Sequence, residues 1–209
     1  MRSALLVCGV LSSLVYVAAN VAAGLSWKSY SFADQTISEL SAIDAPSRPL
    51  WLALSIPFGL LSLAFAAGVW WSARGNHKLR VAAALMFAVC VLGPFWPPMH
   101  LRGTPATLTD TMHIVFACVT SVLFLLTIIF AATALGRWFR NYSIATLAAL
   151  VLFGFATFLQ APAVGRNEPT PWIGVYERLN VGAYMLWVAV LAIVLLRESS
   201  AATGGCRAR

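Results

Sequence analysis

Six stretches of this 209-residue chain, at about 3–24, 49–71, 81–97, 112–135, 143–163 and 179–196, contain no Asp, Glu, Lys or Arg. A hydrocarbon layer about 30 Å thick is crossed by roughly 20 apolar residues at 1.5 Å rise each, which is the length of these runs. Inside that layer no water is present to bond backbone N–H and C=O groups, so each run must satisfy them internally as a helix. The remaining residues do not make a water-facing exterior, because 60% of the chain is hydrophobic and only 10% charged. The fold class that follows is all-α: a polytopic transmembrane helical bundle of about six spans. One membrane domain covers 1–198, and residues 199–209 form a small, polar, mobile tail.

The first run resembles a signal peptide in having Arg2 before an apolar core and Ala18, Ala19, Ala22 and Ala23 after it. Its length fits a retained span, and Gly9, Ser13, Tyr16 and Asn20 recur at helical spacing on one side, as a bundle interior requires. Pro57 and Pro94 each remove a backbone donor and are expected to kink the second and third helices.

Bases sort by loop. The amino terminus, 72–80, 136–142 and the tail hold Arg2, Arg74, Lys78, Arg80, Arg137, Arg140, Arg197, Arg207 and Arg209, nine in all. The alternate loops hold Lys28, Arg48, Arg102, Arg166 and Arg178. Lys and Arg are retained on the cytoplasmic side, so both termini are expected to be cytoplasmic in a multi-pass protein of the cell membrane. The net charge of +7 is thereby a matter of topology. It is scattered over short loops and lacks the dense stripe that tracks phosphates, so no nucleic-acid partner is expected. Asp34, Glu39, Asp44, Asp110, Glu168 and Glu177 all lie on the other side, leaving only Glu198 with the termini. The longer segments 25–48, 98–111 and 164–178 mix acids, bases, aromatics and prolines, which makes the outer face the functional one.

Three groups of residues on that face carry chemistry. Ser31 to Ser41 reads as a short interfacial helix, with Asp34 and Ser38 one turn apart and Gln35 and Glu39 another. Its bland alternative is capping, with Asp34 or Thr36 bonding free amides and Glu39 facing water. Asp110 and His113 stand one turn apart where the fourth helix opens, close in sequence to His100. A carboxylate so placed fixes an imidazole tautomer for proton transfer, although Asp110 is equally a good N-cap. Glu177, Asn180 and Tyr184 form a polar stripe entering the sixth span, with Arg178 on another sector. Asn20, Gln160, Thr157, Tyr16 and Thr120 lie on the outer halves of their spans and line one cavity with that stripe, or else hydrogen-bond helix to helix.

No pair of histidines occupies one helix and the four cysteines have no metal-like spacing, so neither a metal site nor a cofactor is expected. Trp27, Tyr30, Trp70, Trp71, Trp138 and Trp172 fall near span ends and read as interfacial anchors.

Ile37-Ser38-Glu39-Leu40, the proline-aromatic end of the third span followed by His113, and Gly174 with Glu177-Arg178 together resemble the six-helix prokaryotic membrane family known as domain of unknown function 998. The resemblance covers nearly the whole chain and implies fold and site location, not a reaction. The family's usual Phe-Pro-x-Asp is replaced here by Phe95-Trp96-Pro97-Pro98-Met99-His100, so a role of that acid is lost or passes to His100. A weaker likeness, to alkaline ceramidases and adiponectin receptors, lacks their paired late histidines and is one span short, and their zinc residues are not carried over.

Two functions compete. In the first, an outward-facing polar site over an apolar cavity performs acid/base chemistry on a lipid or isoprenoid-like substrate, by isomerisation, cyclisation or hydrolysis. His113, Asp110, Glu39 and Glu177 are then catalytic, and Ser38, Asp34, His100, Arg178, Asn20, Gln160, Asn180 and Tyr184 bind substrate. In the second, the same pocket serves a non-catalytic lipid-binding, sensing or assembly protein. The partner is a membrane lipid or apolar small molecule in either case, and the sequence leaves oligomeric state open. A transporter or channel would place charge near the midplane or show paired broken helices, and neither pattern is present. The orientation is checked by a single cysteine at Thr104 in a background without the native ones. It should react with an impermeant reagent in intact cells, and reaction only after lysis would reverse the topology.

Overall fold

The computed structural model describes residues 1–204. Six helices follow one another: α1 Arg2–Ser26, α2 Arg48–Ser72, α3 His77–Leu92, α4 Leu108–Ala134, α5 Arg137–Gly165 and α6 Ile173–Gly204. A 3-10 turn, Gly93–Phe95, prolongs α3, and another spans Ser38–Ser41. Each helix is long and apolar enough to cross a membrane once that turn is added to α3. Each packs on its neighbours in sequence, and α1 also packs on α6, so the bundle closes as a ring in chain order. The α4–α5 seam is the sparsest of that ring. The start of α1, the end of α6 and the two short connections, after α2 and after α4, lie at one end, called here the terminal end. The three long connections lie at the other, the loop end.

The helices outrun the apolar stretches. At 1.5 Å per residue, 25 residues reach about 37 Å, beyond the hydrocarbon thickness, so polar residues at both ends remain helical. The 136–142 loop is thus only Leu135 and Gly136, because Arg137 to Tyr142 open α5. The tail also begins as helix: α6 runs through Gly204, and the rest of the expected mobile tail, 205–209, lies outside the described residues. Asn76 caps α3, its side chain accepting from Leu79 N at 3.2 Å. Thr107 and Asp110 form a capping box that opens α4 four residues before its apolar run. Pro94 lies beyond α3, in the 3-10 turn, and ends the helix instead of kinking it, whereas Pro57 lies within α2. The interfacial helix expected over 31–41 is reduced to the turn Ser38–Ser41, because side chains of Ser31, Thr36 and Gln35 bond the local backbone in turns.

The main core lies toward the terminal end, where Leu6, Phe65, Met86, Ile128, Phe139 and Trp187 come from all six helices. Trp187 is fully buried and donates its indole N–H to Ser143 Oγ at 2.9 Å. A second, smaller cluster of Ala23, Tyr30, Ile37 and Leu40 seats the first long loop on α1. Tyr30 is therefore not an interfacial anchor, whereas Trp70, Trp71, Trp138 and Trp172 are exposed near helix ends as expected.

Glycine brings α1 against α2. A Cβ on Gly68 would lie 3.1 Å from the Leu5 carbonyl carbon and Leu6 nitrogen, and one on Gly9 would strike the Phe65 ring at 2.6 Å. Small residues give membrane helices close backbone approach, which supplies the dispersion contact that the hydrophobic effect does not supply in lipid. Gly68→Val should cost about 1–3 kcal/mol by overpacking. Gly59→Ala, with open space around its Cβ, should cost nothing measurable. Thermal unfolding of the two purified variants makes the comparison, and equal melting temperatures would refute the close-approach reading.

Candidate functional site

The loop end is organised around Glu39, whose side chain is completely buried. Such a carboxylate is tolerable only when paired and fully hydrogen-bonded. Arg102 supplies the pair in a two-pronged arrangement, Nε to Oε1 at 2.6 Å and Nη2 to Oε2 at 2.9 Å. Thr36 donates its backbone N–H at 2.7 Å and its hydroxyl at 3.0 Å to Oε2, and Gln35 Nε2 reaches Oε1 at 3.3 Å. The remaining guanidinium contacts go to Thr170 Oγ1 at 2.7 Å and the Asp34 carbonyl at 2.8 Å. Thr170 closes the set by donating to the same carbonyl at 2.9 Å. One ion pair thus joins all three long loops.

A second node is Arg178. Its Nε donates to Asn20 Oδ1 at 3.2 Å, and Nη1 lies within bonding distance of the carbonyls of Phe32, Gln35 and Gly174 at 2.8, 3.1 and 2.9 Å. Nη2 donates to the Tyr30 hydroxyl, which itself donates to the Thr36 carbonyl at 2.7 Å. The guanidinium also lies 4.9 Å from the Phe32 ring centroid, within cation–π range. Burial, partly offset by Arg178, pushes the Tyr30 phenol up to about 12, so it serves as a hydrogen-bonding hydroxyl. Gly174 makes room for this node: a Cβ there would stand 2.2 Å from the Gln35 carbonyl oxygen. Glu177, on the same turn, accepts from Ile37 N–H and from Ser38 Oγ at 3.4 Å, and makes no ion pair. Glu39, Ser38, Glu177, Arg178 and Asn20 are accordingly brought together around residues 30–39.

The Asp110 and His113 pairing is not formed. Asp110 turns to His100, accepting its backbone N–H at 2.7 Å and meeting its Nδ1 at 2.9 Å, while Thr107 N–H and Oγ1 complete the cap at 2.8 and 2.9 Å. The capping box decides this, because a carboxylate at the third helical position is drawn back to the N-cap and away from the following turn. His100 in turn lies against the first long loop, forming an isolated parallel bridge with Ile43, whose N–H bonds the Met99 carbonyl at 2.8 Å. His113 is buried one turn further in, with Nδ1 2.7 Å from the Pro97 carbonyl. That contact assigns the proton to Nδ1, since a carbonyl oxygen only accepts. Trp96 Nε1, 3.1 Å from the same nitrogen, then has no lone pair to meet and packs edge-on, at 81°. The other imidazole nitrogen, Nε2, carries a lone pair and makes no hydrogen bond in the structure.

The expected stripe on α6 divides. Asn180 crosses to α5, donating to the Leu150 carbonyl at 2.6 Å. Tyr184 belongs to the main core, stacked on Phe124 at 4.0 Å, and does not reach the loop-end groups. Thr120 and Thr157 bond carbonyls of their own helices and join no partner helix. Asp34 contributes its carbonyl to the Arg102 node, its exposed carboxylate bonding only Ser31 locally. Gln160 joins neither node, and its Oε1 is buried without a partner, as is Asn20 Nδ2. Among the described residues, no group of three His, Cys, Asp or Glu side chains is placed to hold a metal.

Arg102, Thr170, Thr36 and Tyr30 are the residues that sequence reasoning missed as parts of the site. Arg102 carried one signal: it is the lone base of its loop-end connection within a stretch, 45–109, free of acids, which points to a counter-charge from outside that stretch. Removing one partner of the buried pair should cost about 3–5 kcal/mol, because the other charge is stranded. We expect Arg102→Leu and Glu39→Leu each to lower thermal stability sharply, and the double variant to recover part of the loss. Additive losses would show that the pair is not coupled.

The family described as "Protein of unknown function (DUF998)" matches residues 10–194. No curated protein and no solved structure matches the chain significantly. The match spans all six helices, both loop-end nodes and His113, and the chain belongs to the DUF998 family of membrane proteins.

Proposed function

We propose that this protein binds a membrane amphiphile at the loop end of the bundle, with a neutral, hydroxyl- or amide-bearing headgroup. The observation that carries this reading is a set of polar atoms left without partners at one depth. His113 stands five residues inside the start of α4, Gln160 five residues before the end of α5 and Asn20 six before the end of α1. At 1.5 Å per residue these positions are about 7–9 Å along their helices from the loop end. A buried polar atom without a partner costs about 1–3 kcal/mol, so groups of this kind are retained where a ligand satisfies them. Two such atoms are buried, the acceptor Gln160 Oε1 and the donor Asn20 Nδ2, and His113 Nε2 adds an acceptor at the same depth. The α4–α5 seam is the sparsest of the ring, and it is there that a molecule dissolved in the bilayer would gain lateral access.

The headgroup is taken as neutral because the two part-buried guanidiniums at this end are committed, the other cation without a side-chain partner, Lys28, being exposed on the first long loop. Arg102 and Arg178 are engaged at every guanidinium nitrogen. Holding an anionic headgroup, one role expected for Arg178, would require breaking that node.

An acid/base enzyme is a second reading, favoured by the assigned tautomer of His113. Its Nδ1–H is held by a backbone carbonyl, which leaves Nε2 oriented as a proton acceptor, an arrangement a general base needs. Glu177, which forms no ion pair among the described residues, is the remaining proton-transfer group. Glu39 and Asp110 are withdrawn from that role by Arg102 and His100.

Lipids that copurify with wild type, Gln160→Leu and His113→Asn identify the ligand by mass spectrometry. The wild type should retain a neutral amphiphile whose occupancy falls about tenfold in each variant, equivalent to about 1.4 kcal/mol. Identical lipid content in all three would end the binding reading. Conversion of the retained amphiphile by wild type but not by folded His113→Asn would select the enzyme.

A further inference from the structure

We propose that the terminal end carries a separate site for an anionic phospholipid, seated between α2 and α3. A surface groove of about 360 Å³ opens there, lined by Ala67, Trp70 and Trp71 of α2 and Ala84 and Phe87 of α3. Trp70 and Trp71 occupy the last turn of α2, and Phe87 lies ten residues inside α3. The groove therefore runs from headgroup level about 15 Å toward the bundle midplane, as a lipid tail does. Its lining is almost wholly apolar, which suits an acyl chain and excludes a polar peptide.

Charge at its mouth selects the headgroup. Arg74, Lys78 and Arg80 stand on or beside the α2–α3 connection and are exposed. None of them makes a side-chain hydrogen bond or ion pair among the described residues. Arg80 is tied to the groove itself, its guanidinium lying 5.9 Å from the centroid of Trp70. No acid occurs between Asp44 and Asp110, so nothing on either helix offsets these three charges. Glu198, the acid at this end, lies beside Arg2 and Arg74 around a neighbouring smaller pocket, leaving Lys78 and Arg80 uncompensated. A phosphate at the interface would meet Arg80 and Lys78 while its acyl chain lies over Trp70 and against Ala84. Arg on an aromatic face with its planar donors outward is well suited to phosphate oxygens. Free phosphate would leave the apolar groove empty, so the occupant is a lipid.

Full-length protein in neutral detergent is titrated with phosphatidylglycerol or phosphatidylcholine and observed by native mass spectrometry. The first phosphatidylglycerol should bind at least tenfold more tightly than phosphatidylcholine. That preference should vanish in Lys78→Gln/Arg80→Gln and persist in Arg137→Gln/Arg140→Gln, which removes equal charge from the same end away from the groove. Ala84→Trp, which fills the groove without changing charge, should weaken both lipids. Equal binding of the two lipids by wild type overturns the proposal, as does equal loss in the two double variants, which would mean general charge attraction. A dimer that Ala84→Trp dissociates would assign the groove to a second copy of the chain and overturn it as well.

Discussion

The fully buried Glu39 carboxylate is the constraint from which the loop end is built. An isolated carboxylate in that position carries a desolvation penalty that no packing offsets, so the chain must bring a cation and several N–H or O–H donors to it. The cation, Arg102, lies 63 residues away on a different loop, and its spare nitrogens capture Thr170 and the Asp34 carbonyl. Pairing one charge therefore fixes the mutual positions of three connections that have little regular structure of their own. Arg178 repeats the device on the backbone: its donors serve carbonyls at Phe32 and Gln35 that the turn over 31–37 leaves unbonded.

The membrane fold was legible because its signal is physical and redundant. Each span must be apolar over its whole length, and six such runs cannot be arranged in water. The helix ends were less legible, since hydropathy reports bilayer thickness and not helix length. Arg137 to Tyr142 and Leu108 to Thr111 are helical outside the apolar runs, and only caps such as Thr107 with Asp110 mark where such helices begin. One-sided acid placement leads to the expectation that Glu39, His113 and Glu177 converge with Asp110 and Arg178 close by; the structure brings Glu39, Glu177 and Arg178 around one short segment and gives Asp110 and His113 other partners. The partner of each was not legible. Spacing along a helix ranked His113 as the neighbour of Asp110, but His100 and Thr107 reach the same carboxylate from the preceding loop and satisfy it first. Spacing likewise joined Tyr184 to Glu177, although a tyrosine seven residues further in lies beside Phe124 and Trp187 in the core.

The bundle divides into halves that differ in packing. Toward the terminal end, Trp187, Phe65 and Phe139 fill the space between helices, and Gly68 holds α1 close to α2. Toward the loop end, the polar residues inside the ring are His113, Thr120, Asn20 and Gln160, and two of these keep unpaired buried atoms. Aromatic packing thus fills the terminal half, while the loop-end half keeps buried hydrogen-bonding capacity unmet at Asn20 and Gln160.

The two ends also spend their positive charge differently, and this separates what each can recognise. At the loop end Lys28 is exposed, whereas Arg48 bonds the Ser41 carbonyl, Arg102 bonds Glu39, Arg166 bonds Glu168 and Arg178 bonds the turn at 32–35. Those arginines are internal fasteners, and an anion approaching them competes with bonds already made. At the terminal end, Arg74, Lys78, Arg80, Arg137 and Arg140 form no side-chain hydrogen bond or ion pair among the described residues. A cation without a protein partner at headgroup depth is available to lipid phosphate, and its attraction falls off within about a Debye length of the surface. The terminal end thus keeps cations that have no hydrogen-bond or ion-pair partner among the described residues, whereas the arginines of the loop end hold the loops to one another.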